Sequence, residues 1–293
     1  MQQTRKRIEE ALAAVVSVAE TRGAPPQLGA AIRHAVLPGG ARIRPLLCVA
    51  VAAACGDSDP TLSLSAGVSI ELIHCASLVH DDLPCFDDAP LRRGLPSVHA
   101  AYGERQAVLA GDALIVMAFE VLAQGAAQHP ERLCGLVSEL TQRTGMPRGI
   151  VAGQAWECED WVALPDYQRA KTGSLFAAAS VMGALASGGD AERWRAFGER
   201  LGEAYQVADD IRDAACTEAE MGKPALRDRA LGRPSVVIEM GMSGALDYFE
   251  QLLASARSSV PECRGAPSLR ALVGAESERL LPAGLRASAL AVA

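Results

Sequence analysis

Apolar residues recur along this chain at three- and four-residue spacing in long runs, and glycine or proline interrupts the runs. That spacing belongs to helices, which bury one stripe and leave the other face to water. Helices are expected roughly at Thr4–Thr21, Leu28–Val36, Ile43–Ala54, Leu62–Asp82, Glu104–Gln128, Glu131–Thr144 and Arg148–Val162. Further ones are expected at Pro165–Gly183, Ala191–Ala215, Pro234–Met242 and Ala245–Ser258, with one or two toward the C-terminus. The breaks are PGG (38–40), GDSDP (56–60), LPCFDDAPLRRGLP (83–96), SGG (187–189) and MGKP (221–224). Alternating strand patterns are hard to find. No linker is long or polar enough to divide the chain, so a single all-α domain over residues 1–293 is expected.

Composition supports that reading. The chain is 49% hydrophobic and 22% charged but only 4% aromatic, rich in alanine and leucine, which favours helix over sheet. The opening MQQTRKRIEEALAAVVSVAE joins a basic start to an apolar run, yet Glu9 and Glu10 interrupt it and an amphipathic helix fits better than a signal peptide. LLCVAVAAAC (46–55) is too short to span a bilayer. No transmembrane segment and a cytoplasmic location are expected. Eight cysteines lie scattered without a C-x-x-C pair, as befits reduced, mostly buried thiols.

A net charge of −7 argues against nucleic acid as a partner. Of 28 basic residues only Lys6, Lys171 and Lys223 are lysine. The two internal lysines read either as places where a compact ammonium is wanted or as leftover surface lysines in an arginine-rich chain.

The acids are unevenly placed. Asp81, Asp82, Asp87 and Asp88 crowd around Pro84, and Asp209, Asp210 and Asp213 lie in QVADDIRDAA. Asp209 and Asp213, four apart, share one helix face. Both clusters follow an apolar helix, and basic residues follow both. Mg²⁺ takes one or two carboxylates together with water and substrate phosphate oxygens, so two open acidic clusters fit Mg²⁺ ions that also hold a phosphorylated ligand. Arg42 and Arg44 follow the Gly39–Gly40 turn, Arg92 and Arg93 follow the first acids, and Lys223 follows the second. Guanidinium forks and ammonium groups so placed suit a diphosphate.

These residues resemble those of the trans-polyprenyl (isoprenyl) diphosphate synthases, over nearly the whole chain. GGARIRP (39–45) is similar to the family's first basic motif, and HDDLPCFDDAPLRRG (80–94) to its first aspartate-rich motif in the longer form. AGDAL (110–114), GQ (153–154), KTGSLF (171–176), YQVADDIRD (205–213) and MGKPALRD (221–228) follow in the family's order. The resemblance implies a large antiparallel helical bundle around a central active-site cavity, as a homodimer. It also implies a reaction in which an allylic diphosphate ionises and isopentenyl diphosphate attacks the cation. By the same resemblance Asp81, Asp82 and Asp87 hold two or three Mg²⁺ ions with Asp209, and less directly with Asp210 and Asp213. Arg92, Lys171 and Lys223 hold the allylic diphosphate, Arg44, His74 and Arg93 hold isopentenyl diphosphate, and Thr172 and Gln206 face the developing cation.

Three positions depart from the family pattern. Ala41 stands where a lysine usually follows the glycines, with Arg42 or Arg44 expected to compensate. Leu226 replaces a common glycine. Arg233 stands for a lysine and keeps a substrate-binding charge. Ala76 and Ser77, small residues about one turn before the first acids, argue against a product stopped at fifteen carbons. The chain thus resembles the bacterial type of geranylgeranyl diphosphate synthase, including those that feed carotenoid or chlorophyll-type pigments. Farnesyl diphosphate synthesis, a class I terpene cyclase and a noncatalytic subunit that modulates a partner synthase remain as alternatives.

Overall fold

The computed structural model describes residues 2–161, 163–215, 235–282 and 284–286. Lys223, Leu226 and Arg233 lie outside the described residues. Backbone contacts sort the chain into two units, Met1–Leu140 with Met182–Gly189, and Thr141–Val181 with Asp190–Ala293.

The first unit holds α1 (Gln2–Val18), α2 (Pro26–Val36), α3 (Ile43–Ala54), α4 (Pro60–Asp81), α5 (Val98–Tyr102), α6 (Glu104–Gly125) and most of α7 (Pro130–Thr144). The sequence starts α4 firmly. The Asp59 carboxylate accepts from the backbone N–H groups of Thr61 (3.0 Å) and Leu62 (3.3 Å), and Pro60 occupies the first turn where its missing donor costs nothing. Helix α4 is apolar on nearly every side, burying Leu62, Ala66, Ile70, Leu72, Ile73 and Val79 among others, and packs on α3 and α6. At about 1.5–3 kcal/mol per large apolar side chain, this burial holds the acidic end of α4 in place. Helix α1 adds a single stripe, Ile8, Leu12 and Val16, at the spacing the sequence shows.

Two described segments, α4 and Glu104–Gln128, are long and apolar enough to cross a membrane. Helix α4 is instead a core helix, and α6 leaves Val108, Leu109 and Val116 at the surface.

One hairpin interrupts the helices. Leu91–Arg92 pairs antiparallel with Leu95–Pro96, and the connecting Arg93 and Gly94 both have left-handed backbones, the geometry of a two-residue hairpin turn. Strands of two residues are too short for alternation to betray them in the sequence.

The second unit holds α8 (Ile150–Ala155), α9 (Leu164–Gln168), a π-helical turn (Arg169–Gly173), the start of α10 (Ser174–Ala186), α11 (Arg195–Ala215), α12 (Val236–Ser259) and α13 (Ala266–Leu280). Helix α11 buries Phe197, Leu201, Ala204, Val207, Ala208 and Ile211 and packs on α12. The expected helix at 148–162 is shorter, passing into a 3₁₀ turn at Trp156–Cys158. The expected continuous helix at 165–183 is divided by the π turn. Gly153 of α8 lies directly against that turn, where an added Cβ would stand 2.4 Å from the backbone of Lys171. The expected break after Met242 falls at Gly241, whose φ of 71° interrupts α12. The all-α class is borne out: apart from the hairpin, the regular structure among the described residues is helical.

Candidate active site

In the first unit α4 delivers Asp81 and Asp82 at its C-terminal end, both buried. The chain then folds back on itself. Asp87 donates its N–H to the Asp81 carbonyl (2.9 Å), and Ala89 donates to the Asp82 carbonyl (3.1 Å). This return loop brings Asp87 beside the helix end and launches the hairpin. From the hairpin, the Arg92 Nε donates to both Asp82 oxygens at 3.0 and 3.2 Å. Burial pushes the Asp82 carboxyl above its ordinary range, and Arg92 works against that shift. Burial also opposes the charge of Arg92, which Asp82 more than restores.

A second basic group sits around His74. Arg93 donates to the Gly39 carbonyl, and its guanidinium lies 3.1 Å from where a Cβ on Gly40 would be. Gly40 has a φ of 144°, which an L side chain rarely adopts. The turn therefore needs glycine twice over, for its backbone and for Arg93. His74 is half-buried, and its Nδ1 is buried without a hydrogen-bond partner among the described residues. Burial, then the charges of Arg44, Arg93, Arg92 and Arg42, hold its pKa well below the usual imidazole range. His74 is therefore neutral, with one nitrogen ready to accept and the other to donate.

Arg42 corrects an expectation. It is buried, and its guanidinium donates to Glu9 at 2.9 and 3.2 Å, to Glu71 at 2.7 Å and to the Val36 carbonyl at 2.6 Å. Burial opposes its charge, and Glu9 and Glu71 more than restore it. Arg42 is a structural cation and does not compensate for Ala41. On α4, Ala76 and Ser77 are buried below the acids, and the Ser77 hydroxyl donates to the His74 carbonyl at 2.9 Å.

The second unit brings Thr172, Gln206 and Asp210 into one network and pairs Lys171 separately with Glu157. Thr172 Oγ1 donates to Gln206 Oε1 (2.5 Å), and Gln206 Nε2 donates to Asp210 Oδ1 (2.9 Å). Asp210 is buried and also accepts from the Val236 N–H (2.9 Å) and Gln168 Nε2 (3.5 Å). Its neighbour Asp209 is exposed, and Asp213, four residues after Asp209 on the same face, is buried deeper. Asp210 thus orients Gln206, a task its place in the acidic run did not reveal.

The sequence reading also missed Glu157. Its Oε1 accepts from Lys171 Nζ and from the Tyr167 hydroxyl, the latter at 2.5 Å. The Glu157 side chain is 5% exposed, so this is a sheltered pair. Its position three residues after GQ is the only signal the sequence offers.

Among the described residues no three His, Cys, Asp or Glu side chains converge into a closed metal cage. The candidate donors Asp81, Asp82, Asp87, Asp209 and Asp213 are carboxylates, which are hard oxygen donors. Such a set suits a hard cation that keeps water and ligand oxygens in its shell, which is the habit of Mg²⁺.

Known proteins resemble this chain over most of its length. The family model described as polyprenyl synthetase matches residues 25–266. The geranylgeranyl diphosphate synthase of Cereibacter sphaeroides is 53% identical over 96% of this chain and 98% of its own length. That of Rhodobacter capsulatus is 50% identical over 94% and 96%. Among solved structures, a geranyltransferase from Helicobacter pylori complexed with magnesium and isoprenyl diphosphate superposes with a TM-score of 0.82, at 31% identity over 94% of this chain and 96% of that one. Geranylgeranyl pyrophosphate synthetase from Pyrococcus horikoshii gives 0.76 at 26% identity, over 93% and 95%. With its motifs in order, its helices in place and a match over most of its length, the chain belongs to the polyprenyl synthetase family.

Proposed function

We propose that this prenyltransferase condenses isopentenyl diphosphate with farnesyl diphosphate to make geranylgeranyl diphosphate, with magnesium as cofactor. The observation that carries the product length is on α4, where the helix that ends in Asp81 and Asp82 has small, buried Ala76 and Ser77 about a turn below. One turn rises about 5.4 Å, close to an isoprene unit, so a small residue there leaves room for a longer chain. The near-full-length relatives that bear this product's name support the same reading.

In this reading Asp81, Asp82 and Asp87 of the first unit, and Asp209 and Asp213 of the second, are the magnesium-binding carboxylates. Bound there, magnesium would supply positive charge that steadies a diphosphate leaving group. Arg92, already oriented by Asp82, and Lys171, oriented by Glu157, hold the allylic diphosphate. Arg44, Arg93 and neutral His74 hold isopentenyl diphosphate. Thr172 and Gln206 are fixed by their mutual hydrogen bond and by Asp210, so their oxygens meet a developing cation as preset dipoles. The departing diphosphate accepts the final proton, and no protein base is required. The family match spans both units, which supports one polyprenyl synthase domain across 1–293. A homodimer completes the proposal, supported by the outward apolar residues of α6.

The test is incubation of the purified chain with Mg²⁺, labelled isopentenyl diphosphate and, separately, dimethylallyl, geranyl and farnesyl diphosphates, followed by product sizing. A twenty-carbon product is expected. A product stopped at fifteen carbons would favour farnesyl synthesis, and no elongation with any starter would favour a noncatalytic subunit.

A further inference from the structure

The turn at 39–42 is built from backbone conformations that no helix can satisfy. Gly39, Gly40 and Arg42 all have positive φ, at 89°, 144° and 51°. The Arg42 carbonyl accepts from the Leu46 N–H of α3 (3.1 Å), so it is the carbonyls of residues 39–41 that must find donors elsewhere. The Gly39 carbonyl accepts from Arg93. The next two accept from a residue far away in sequence: Arg5 of α1 donates Nη1 to the Gly40 carbonyl (3.1 Å) and Nη2 to the Ala41 carbonyl (2.7 Å).

Arg5 does not act alone on α1. Glu9, four residues on and so on the same helix face, binds the Arg42 guanidinium. One face of α1 therefore grips both the carbonyls before Arg42 and the side chain of Arg42 itself. The helix is anchored independently by Ile8, Leu12 and Val16. From this turn α3 departs, carrying Arg44 two residues later, and against this turn Arg93 lies. Ala41, at the centre, has no charge of its own; the guanidinium of Arg5 stands against its backbone.

We propose that Arg5 is a positioning residue for isopentenyl diphosphate: its two-pronged hold on Gly40 and Ala41 sets the turn that aims Arg44 and Arg93 at the diphosphate. The proposal rests on the assignment of Arg44, His74 and Arg93 to that substrate. A site whose cations are already in place loses less on binding than one that must order them, so the effect belongs to substrate affinity. Arginine is suited to the task because its planar fork meets two carbonyls at once, which a lysine does not.

The test uses the full-length enzyme and three variants, Arg5→Ala, Arg5→Lys and Arg44→Ala. KM is measured for isopentenyl diphosphate at saturating farnesyl diphosphate, then with the roles exchanged. For Arg5→Ala the KM for isopentenyl diphosphate is expected to rise about tenfold, the scale for two charge-assisted hydrogen bonds at a half-exposed site. The turnover number and the KM for farnesyl diphosphate should stay within about twofold, and Arg5→Lys should recover part of the loss. A merely structural role would lower Tm and turnover together and leave both KM values alone; that result overturns the proposal. If Arg5→Ala does not fold, Arg5→Lys decides, and an unchanged KM for isopentenyl diphosphate overturns it. Arg44→Ala separates the two layers. If it raises that KM while the Arg5 variants do not, the role of Arg5 falls alone. If it has no effect either, the substrate assignment falls, and the role of Arg5 with it.

Discussion

Lowering the pH from 7 to 5 is expected to destabilise the protein more than it destabilises a His74→Gln variant. In the unfolded chain His74 titrates near 6.5, whereas in the fold burial and four surrounding arginines keep it neutral well below that. A depressed folded pKa means that the unfolded chain takes up a proton the native one refuses. Stability is therefore intact above 6.5 and falls as the pH drops through 6.5 toward the folded value. A native state that takes up no proton at His74 down to pH 5.0 would lose at most about 2 kcal/mol, and the residue's partial exposure brings the expected effect to about 1–2 kcal/mol. At about 2–4 °C per kcal/mol for a chain of this size, the extra loss in Tm is about 2–8 °C. Glutamine keeps a polar group of similar reach and removes only the titration. The assay is Tm at both pH values for both proteins in metal-free buffer. The chain has five histidines, and the four others are common to both proteins, so they cancel in the comparison. Equal losses in wild type and variant would refute the reasoning.

Three further outcomes are open to measurement. Ala76→Tyr should shift the product toward fifteen carbons, because a large side chain on the buried face of α4 closes the room that alanine leaves; unchanged twenty-carbon product on chromatography would count against the floor. Glu157→Gln removes the carboxylate that holds Lys171 and Tyr167, and should lower kcat/KM for the allylic substrate about tenfold, with partial recovery in Glu157→Asp. Asp209→Asn should raise the Mg²⁺ concentration needed for half-maximal rate, whereas Asp210→Asn should act mainly on turnover through Gln206; titrating Mg²⁺ in both variants distinguishes the two.

Helix positions were plain in the sequence, because a three- and four-residue apolar spacing is a local property. Ile43–Ala54 was placed to the residue, and α1, α4, α7 and α11 to within a few. The hairpin at 91–96 and the π turn at 169–173 were not, since neither leaves a periodic signature. Pairing was the harder matter. Arg42 and Arg44 look alike in GGARIRP, yet one is buried between Glu9 and Glu71. Asp209 and Asp210 are adjacent, yet one is exposed while the other accepts from Gln168, Gln206 and Val236.

The sequence by itself determined the helices, the two acidic clusters and the family they resemble. Only the tertiary structure decided which distant groups pair with those charges inside the fold. The reason is physical: a helix is set by neighbours within a turn, but a buried charge is set by whichever distant group packing brings against it. Arg5, thirty-five residues from Gly40, is the case in point.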